Sequence, residues 1–218
     1  MKFLKATLSA VILFLTFNVH SASIVDTGPG PDPFPGYAWG FGGNDKFSGQ
    51  FTLTENTSIS SITGWIGVDG YGSGFDFNIL VYNEINGLPG EALFSQSVYV
   101  PPPQNVTPQN SYGFDWYGLS GLDWNLTAGN YWVSFEGIYE LQPGSVMPGP
   151  SQNPLTHYAT NNVITNNVWK LADYLDLGVR IEGAPSSVPI PAAIWLFSSG
   201  VISLFGIAIR KRRVNTGE

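Results

Sequence analysis

Acidic side chains are the most numerous titratable groups in this sequence. Asp115 and Asp123 could be drawn as a pair because they flank the segment WYGLSGL. Two carboxylates on either side of a glycosidic bond can cleave it by acid and base or nucleophilic catalysis, so a polysaccharide-active hydrolase is one alternative. Spacing along the chain does not make the two groups converge, and acidic residues are mostly exposed or in turns. We therefore expect a non-catalytic protein.

Other kinds of catalytic or metal chemistry have little support in the sequence. The chain has no cysteine, and His157 is the only histidine beyond residue 20. No Gly-x-Ser-x-Gly segment or pair of metal-binding histidines accompanies it, so neither serine hydrolysis nor a zinc site is expected. The segment DGYGSGFD, from Asp69 to Asp76, offers oxygen ligands for Ca²⁺, but it lacks the spacing of an EF-hand loop. A glycine-rich hairpin turn explains it without metal, so we expect no cofactor and keep calcium as an alternative.

Aromatic side chains are dense in the middle of the chain. The candidates for carbohydrate contact are Trp65, Trp116, Tyr117, Trp124 and Trp132. Flat rings with a polar edge suit the C–H faces of sugars as well as protein cores. Strict alternation places Trp65 and Trp132 on the face opposite the apolar residues of their own segments. Such side chains are predicted either to form a polysaccharide-binding surface or to be covered by the other sheet or a loop.

The charges are distributed unevenly along the chain. Residues 24–187 contain three basic residues against fifteen acidic ones, while the other basic residues lie at the two ends. An acidic surface repels the phosphates of nucleic acids, so we expect no nucleic-acid partner. Neutral sugars and divalent cations remain compatible with it.

The middle of the chain has the pattern of an all-β domain. In FDFNILVY, residues 75–82, Phe75, Phe77, Ile79 and Val81 share one face. Further segments with strand composition are QFTLTE (50–55), ISSITGWIGV (59–68), ALFSQSVYV (92–100), YWVSFEG (131–137) and DLGVRIEG (176–183). Turn residues bound each of them, which predicts an antiparallel β-sandwich, jelly-roll-like, over residues 47–183. Residues 24–46, which are rich in Pro and Gly, and residues 184–187 are predicted to be linkers.

The N-terminus has the three parts of a secretory signal peptide. Lys2 and Lys5 precede a short apolar run, and Ser21, Ala22 and Ser23 supply small residues at its end. Residues 1–23 are therefore predicted to direct the chain to the Sec machinery and to be removed after Ala22 or Ser23.

The C-terminus has the pattern of a membrane anchor. Residues 192–209 contain no charged side chain and, as a helix, would extend about 27 Å, close to the thickness of a bilayer core. The basic residues Arg210, Lys211, Arg212 and Arg213 follow at once. Such a cluster stays in the cytoplasm, so the domain before the helix is predicted to lie outside the inner membrane, with residues 214–218 as a cytoplasmic tail.

Together these parts resemble the PEP-CTERM sorting signal. Val188, Pro189, Ile190 and Pro191 match its Pro-x-Pro element, residues 192–209 its helix, and residues 210–213 its basic end. The resemblance covers residues 188–213 and implies recognition by an exosortase, a membrane transpeptidase of bacteria that make exopolysaccharide. Ile190 replaces the usual acidic residue, and VPIPAA is similar to the VPLPAA variant of the signal. We expect a protein anchored in the membrane and then passed to the cell surface or exopolysaccharide matrix; the alternative is a plain type I anchored domain.

Overall fold

A computed structural model describes residues 21–30, 39–41, 45–69, 74–103, 112–138, 145–150, 154–162, 164–172 and 174–186. All of these residues belong to one compact unit. In these ranges we find no helix with the length and apolar character needed to cross a membrane. The predicted transmembrane helix 192–209 and residues 1–20 of the predicted signal peptide lie outside the described residues.

The first antiparallel sheet, sheet A, is centred on one long strand. Its described strands are β1 (Ala22–Asp26), β2 (Trp39–Gly40), β4 (Thr57–Asp69), β7 (Tyr112–Leu126), β9 (Ser145–Met147) and β12 (Val179–Pro185). Strand β4 pairs with β7 along its whole length, whereas β12 and β9 pair with its first and last parts. Strand β1 extends the sheet beyond β12, and β2 extends it beyond β9.

The second antiparallel sheet, sheet B, packs against the first. Its described strands are β3 (Lys46–Leu53), β5 (Phe75–Ile85), β6 (Leu88–Val100), β8 (Gly129–Gly137), β10 (Tyr158–Asn161) and β11 (Lys170–Leu171). Their order across the sheet is β11-β10-β3-β8-β5-β6, so β6 is the last strand on one side. The asparagine and glycine of the Asn86–Gly87 turn both have positive φ, at 54° and 76°, which suits the tight hairpin that joins β5 to β6.

The main core lies between the two sheets. Phe77, Ile79 and Val81 on β5 are fully buried, as their alternation predicts. Ile62 and Ile66 on β4 face them from sheet A and are equally buried. Removing each such side chain from water stabilises the fold by about 1.5–3 kcal/mol before the entropy of ordering is subtracted. The structure is therefore all-β, with two antiparallel sheets packed as a β-sandwich, as predicted.

The six predicted strand segments are confirmed, and their observed extents are those of β3, β4, β5, β6, β8 and β12. The sandwich also extends beyond the predicted range 47–183. Strand β1 falls partly within the predicted linker 24–46, where Val25 is buried and pairs with Ile181. Strand β12 continues into the second predicted linker, to Pro185. Alternation does not predict β1, because a five-residue strand at the edge of the sheet carries little apolar pattern of its own.

The chain leaves the sandwich at the end where β12 stops, which we call the exit end. There the backbone N–H of Ser186 donates to the carbonyl of Asn56 at 2.8 Å, and the Ser186 hydroxyl donates to Asn125 Oδ1 at 3.3 Å. The side chain of Asn56 in turn accepts a hydrogen bond from the Ala128 N–H at 3.1 Å. Residues at the starts of β4 and β8 and at the end of β7 thus hold the C-terminal end of the described chain in place.

Candidate functional site

The strongest candidate site is a group of aromatic side chains on the outer face of sheet A. Trp65 on β4 lies directly opposite Trp116 on β7, with ring centroids 5.4 Å apart. Phe114, two positions before Trp116 on β7, also stacks on Trp65, with ring centroids 6.1 Å apart and an interplanar angle of 13°. We call Trp65, Phe114 and Trp116 the aromatic cluster. A Cβ atom on Gly67, the cross-strand partner of Phe114, would overlap the Phe114 ring, so the glycine makes room for this arrangement.

Strand alternation directs the aromatic cluster away from the main core. Gly64 and Ile66, on either side of Trp65, are buried and face sheet B, so the Trp65 indole points to the opposite face. Trp65 and Trp116 are half-buried and belong to neither of the two buried apolar clusters of the described residues. The predicted outward direction of Trp65 is therefore confirmed, and Trp116 shares it.

An ion pair flanks the aromatic cluster. The guanidinium carbon of Arg180 lies 3.9 Å from the centroid of a Trp116 ring, within the range of a cation–π contact. Arg180 Nε also donates to Asp26 Oδ1 at 3.0 Å. Burial acts to raise the pKa of Asp26, but hydrogen bonds from the Gly28 N–H and Arg180 outweigh it and leave this pKa below its usual value. The positive charge beside Trp116 is thus held by a neighbouring carboxylate.

One polar atom of the aromatic cluster lacks a partner. The Nε1 atom of Trp65 is buried and has no hydrogen-bond acceptor among the described residues. An unpaired buried donor costs about 1–3 kcal/mol, so a water molecule or a ligand oxygen that reached it would be favoured. The Trp65 backbone is fixed independently, because its N–H donates to the Gly178 carbonyl at 2.8 Å.

Two other predicted carbohydrate contacts pack against the main core instead. Tyr117 is next to Trp116 on β7 and therefore points to the inner face, where burial and the charge of Asp115 raise the pKa of its hydroxyl. Trp124 stacks on Phe94 of sheet B, with ring centroids 5.0 Å apart and planes 5° apart. This pair closes the side of the sandwich between β7 and β6. The structure therefore does not bring Tyr117 and Trp124 to the face that holds Trp65 and Trp116.

Trp132 is also a predicted carbohydrate contact, but its side chain is 0% exposed. It does lie opposite the apolar residues of β8, as alternation predicts, but the outer face of sheet B is covered at this point. Leu80, Tyr82 and Ala159 surround it, and Leu88 and Trp169 pack over the group. A fully enclosed indole cannot stack on a sugar. Of the two outcomes that the sequence left open for Trp132, the structure shows the covered one.

A polar network beside Trp132 was not predicted. Glu136 is 5% exposed, and its Oε1 atom accepts hydrogen bonds from Tyr82 at 2.6 Å and Ser134 at 3.0 Å. Its Oε2 atom pairs with Lys46 Nζ at 2.8 Å. Every one of these groups sits at an outward position of its strand, and Lys46 is one of only three basic residues between 24 and 187. The small number of basic residues is the one feature of the sequence that points to Lys46. The cross-strand pairing that brings Lys46, Glu136 and Tyr82 together cannot be read from the sequence.

The carboxylate pair of the catalytic alternative does not converge. Asp115 accepts the Trp116 backbone N–H at 2.7 Å, whereas Asp123 accepts the Ser58 hydroxyl at 2.8 Å. Asp115 pairs with Ile66 of β4, whereas Trp124, next to Asp123, pairs with Ile59, so the two backbone positions stand about 20 Å apart. Paired catalytic carboxylates stand about 5–9.5 Å apart, so extended geometry excludes this particular pair.

The remaining candidates for chemistry stand alone. His157 is exposed, and its backbone carbonyl accepts the Gln50 N–H at 2.9 Å. In the described ranges no three His, Asp or Glu side chains are grouped closely enough to hold a metal ion. The calcium alternative between Asp69 and Asp76 is not tested by this, since residues 70–73 lie outside the described residues. The same is true of the sorting-signal residues 188–191 and 210–213.

Comparison with protein-family models and with curated protein sequences found no match for the chain. The observations that bear on function are therefore the sandwich, the aromatic cluster and the two terminal signals that the sequence predicts.

Proposed function

We propose that the protein is exported and sorted by an exosortase to the cell surface or exopolysaccharide matrix, where it binds polysaccharide without catalysing a reaction. The sorting part of this proposal rests on the order of the Pro-x-Pro element, apolar helix and basic end in residues 188–213. The binding part rests on the aromatic cluster. The Sec machinery, the inner membrane and the exosortase are its partners along the route.

The observation that carries the binding proposal is the cross-strand pair of Trp65 and Trp116 on the outer face of sheet A. Indole rings offer flat apolar surface to the C–H faces of sugars, and their N–H groups can donate to sugar oxygens. The Trp65 and Trp116 rings are half-buried and packed against each other, so little side-chain freedom is left to lose on binding. The Nε1 atom of Trp65 has no partner among the described residues, but it is buried, so it would donate to a sugar oxygen only after a neighbouring side chain moved.

Charge favours a neutral polysaccharide as the ligand. The domain is strongly acidic, which repels uronate or sulfate groups. Arg180, the cation on the aromatic cluster, is already paired with Asp26 at 3.0 Å. Binding by one or two stacked sugars would have a dissociation constant of about a millimolar to a micromolar, which repeated contacts along a polymer would strengthen.

The position of the cluster suits a protein tethered at its C-terminus. Pro185 pairs with Thr57 at the exit end, and Trp65 lies eight positions further along β4. An extended strand of that length spans about 25 Å, so the aromatic cluster stands well away from the exit end.

The N-terminal part of the proposal is compatible with the packing of β1. Removal of residues 1–22 or 1–23 would delete only the first residues of that strand. The buried side chain of Val25, the ion pair of Asp26 and the Thr27 hydroxyl, which accepts the Val179 N–H at 2.8 Å, all follow the predicted cleavage sites.

We also keep the jelly-roll-like winding within this proposal. It is supported by the way the chain crosses between sheets, from β3 to β4, β4 to β5 and β6 to β7.

Glycan binding by defined variants tests the proposal. The purified protein would be screened on an array of neutral and acidic polysaccharides, and hits would be measured by titration calorimetry. Trp65→Ala and Trp116→Ala are expected to weaken binding at least tenfold, about 1.4 kcal/mol, because each removes a stacking ring. Trp169→Ala, on the outer face of sheet B, is the matched control and should leave affinity unchanged. Absence of binding to every glycan, or equal loss in all three variants, would contradict a site on sheet A.

A further inference from the structure

The ion pair of Asp26 and Arg180 stands beside the aromatic cluster on the outer face of sheet A. Asp26 on β1 pairs with Arg180 on β12, and Arg180 pairs in turn with Thr63 on the central strand β4. Trp116 lies on β7, on the other side of β4, yet the guanidinium carbon of Arg180 is 3.9 Å from the centroid of a Trp116 ring. The Arg180 side chain therefore crosses β4, between backbones about 10 Å apart, and links the aromatic cluster to the carboxylate of Asp26.

The surface beside this link is low and polar. Thr63 and Gly118 are cross-strand partners at outward positions of β4 and β7, and Ser61 and Ser120 are the next outward partners along the same strands. All four residues are small. A flat ring placed against the aromatic cluster on this side therefore has room to lie on the sheet, and the first large side chain that it meets is Arg180.

Asp26 and Arg180 keep hydrogen-bonding capacity that the fold does not use. Their side chains are 47% and 38% exposed. The Oδ1 atom of Asp26 accepts the Gly28 N–H at 2.9 Å and the Arg180 Nε–H at 3.0 Å, whereas its Oδ2 atom accepts no hydrogen bond from the described residues. The bond to Asp26 uses one of the five N–H donors of the guanidinium. A carboxylate acceptor and guanidinium donors are thus presented to solvent side by side.

We infer that Asp26 and Arg180 determine which sugar the aromatic cluster accepts, by hydrogen-bonding two neighbouring hydroxyl groups of a neutral ring. The hydroxyls of a sugar project from the edge of its ring, so a sugar that packs its C–H face on an indole directs them at the groups beside that indole. One hydroxyl accepts from the guanidinium and its neighbour donates to the carboxylate, and hydrogen bonds to charged groups are the stronger kind. The inference rests on the proposed binding of polysaccharide and adds the residues that select among neutral sugars.

Selectivity between sugars tests this role, because a purely structural ion pair would not affect it. Full-length protein in detergent would be titrated with oligosaccharides of glucose, mannose and galactose, which differ in the orientation of single hydroxyls. All three would have the same length and the linkage of the neutral polysaccharide that binds best on the array. The wild-type protein should prefer one of them by about tenfold. Asp26→Asn, which loses the charge, and Arg180→Lys, which loses the forked donors, should each abolish most of that preference.

Glu182→Gln is the matched control. It removes one negative charge from the same face of sheet A, but the Glu182 carboxylate accepts the Ser61 hydroxyl at 3.1 Å and is not part of the pair. This variant should keep the preference of the wild type. All three variants should unfold at nearly the wild-type temperature, because the groups that they change are solvent-accessible.

The outcomes separate this inference from the proposed function. It would be overturned if Asp26→Asn and Arg180→Lys kept the wild-type preference, if Glu182→Gln lost it equally, or if the wild type bound the three oligosaccharides with equal affinity. In each of these cases the proposed binding stands, provided that Trp65→Ala and Trp116→Ala weaken it. Absence of binding to every neutral glycan would overturn the proposed function and this inference together.

Discussion

Tyr82 on β5 donates a 2.6 Å hydrogen bond to the carboxylate of Glu136 on β8, and both side chains are more than nine-tenths buried. The same carboxylate pairs with Lys46 on β3. Three strands of sheet B are thus joined on their outer face by a charged network, beside the enclosed Trp132. A network of this kind stabilises the fold only while each member keeps its partner.

Removing the Tyr82 hydroxyl should therefore destabilise the domain. Tyr82→Phe keeps the ring but removes a donor to a buried carboxylate, so the free energy of unfolding is expected to fall by about 1.5–3 kcal/mol. Tyr117→Phe, a partly buried tyrosine of sheet A without such a bond to a carboxylate, is the control and should change it by less. Urea denaturation followed by tryptophan fluorescence measures both. Equal stability of the Tyr82 variant and the parent would show that the network contributes nothing.

The buried tyrosines also predict how stability depends on pH in alkaline solution. Burial and the hydrogen bond to Glu136 raise the pKa of Tyr82 above its usual value, and burial together with Asp176 raises the pKa of Tyr158. A raised folded-state pKa contributes stability that is complete below the unfolded-state value of about 10 and is lost as pH rises beyond it. The unfolding temperature should therefore decline above about pH 10. The decline should be shallower in Tyr82→Phe, and an identical slope in both proteins would contradict the linkage.

Replacing Arg180 by alanine should change the free energy of unfolding only slightly but should clearly raise the pKa of Asp26. The ion pair is solvent-accessible, so Arg180→Ala should cost about 1 kcal/mol or less. Loss of the guanidinium removes a hydrogen bond and a positive charge from Asp26, so the pKa of this carboxyl should rise towards its usual value. Carboxyl titration by NMR measures that shift. An unchanged Asp26 pKa would mean that the ion pair is not formed in solution.

Close packing between β7 and β4 predicts intolerance of a methyl group at Gly118. A Cβ atom there would overlap the carbonyl oxygen of Ile62, and backbone cannot move aside as a flexible side chain can. Gly118→Ala is expected to lower the free energy of unfolding by about 1–3 kcal/mol. Gly40→Ala is the control, since its nearest contact, the Ser145 carbonyl oxygen, would be at an ordinary 3.6 Å. Comparable stability of both variants would contradict the observed packing of β7.

The sequence predicts the sandwich well because its inner strands alternate strictly. Phe77, Ile79 and Val81 lie where alternation places them. Strand β7 was not predicted, because glycines and carboxylates interrupt its pattern. Phe114 and Trp116 face outwards while Tyr117 and Leu119 face the core, so β7 carries apolar side chains on both faces and shows no clear alternation.

The candidate site could be predicted only in part, and the reason differs from the one that hides β7. Alternation gives the direction of a side chain but not what covers it. It correctly placed Trp65 and Trp132 opposite the apolar faces of their strands, yet one is half-buried and the other is enclosed by Leu80, Tyr82 and Ala159. The pairing of Trp65 with Trp116 depends on the register between β4 and β7. Register is set by the whole sheet and not by either segment alone.

The most direct test of the proposed route is the intact mass of the mature protein purified from its own cells, since one measurement defines both termini. Export and sorting predict a mass that lacks residues 1–22 or 1–23 and also lacks the segment after Pro191. A mass that retains residues 192–218, in protein that stays in the membrane fraction, would contradict sorting and indicate a plain type I membrane anchor.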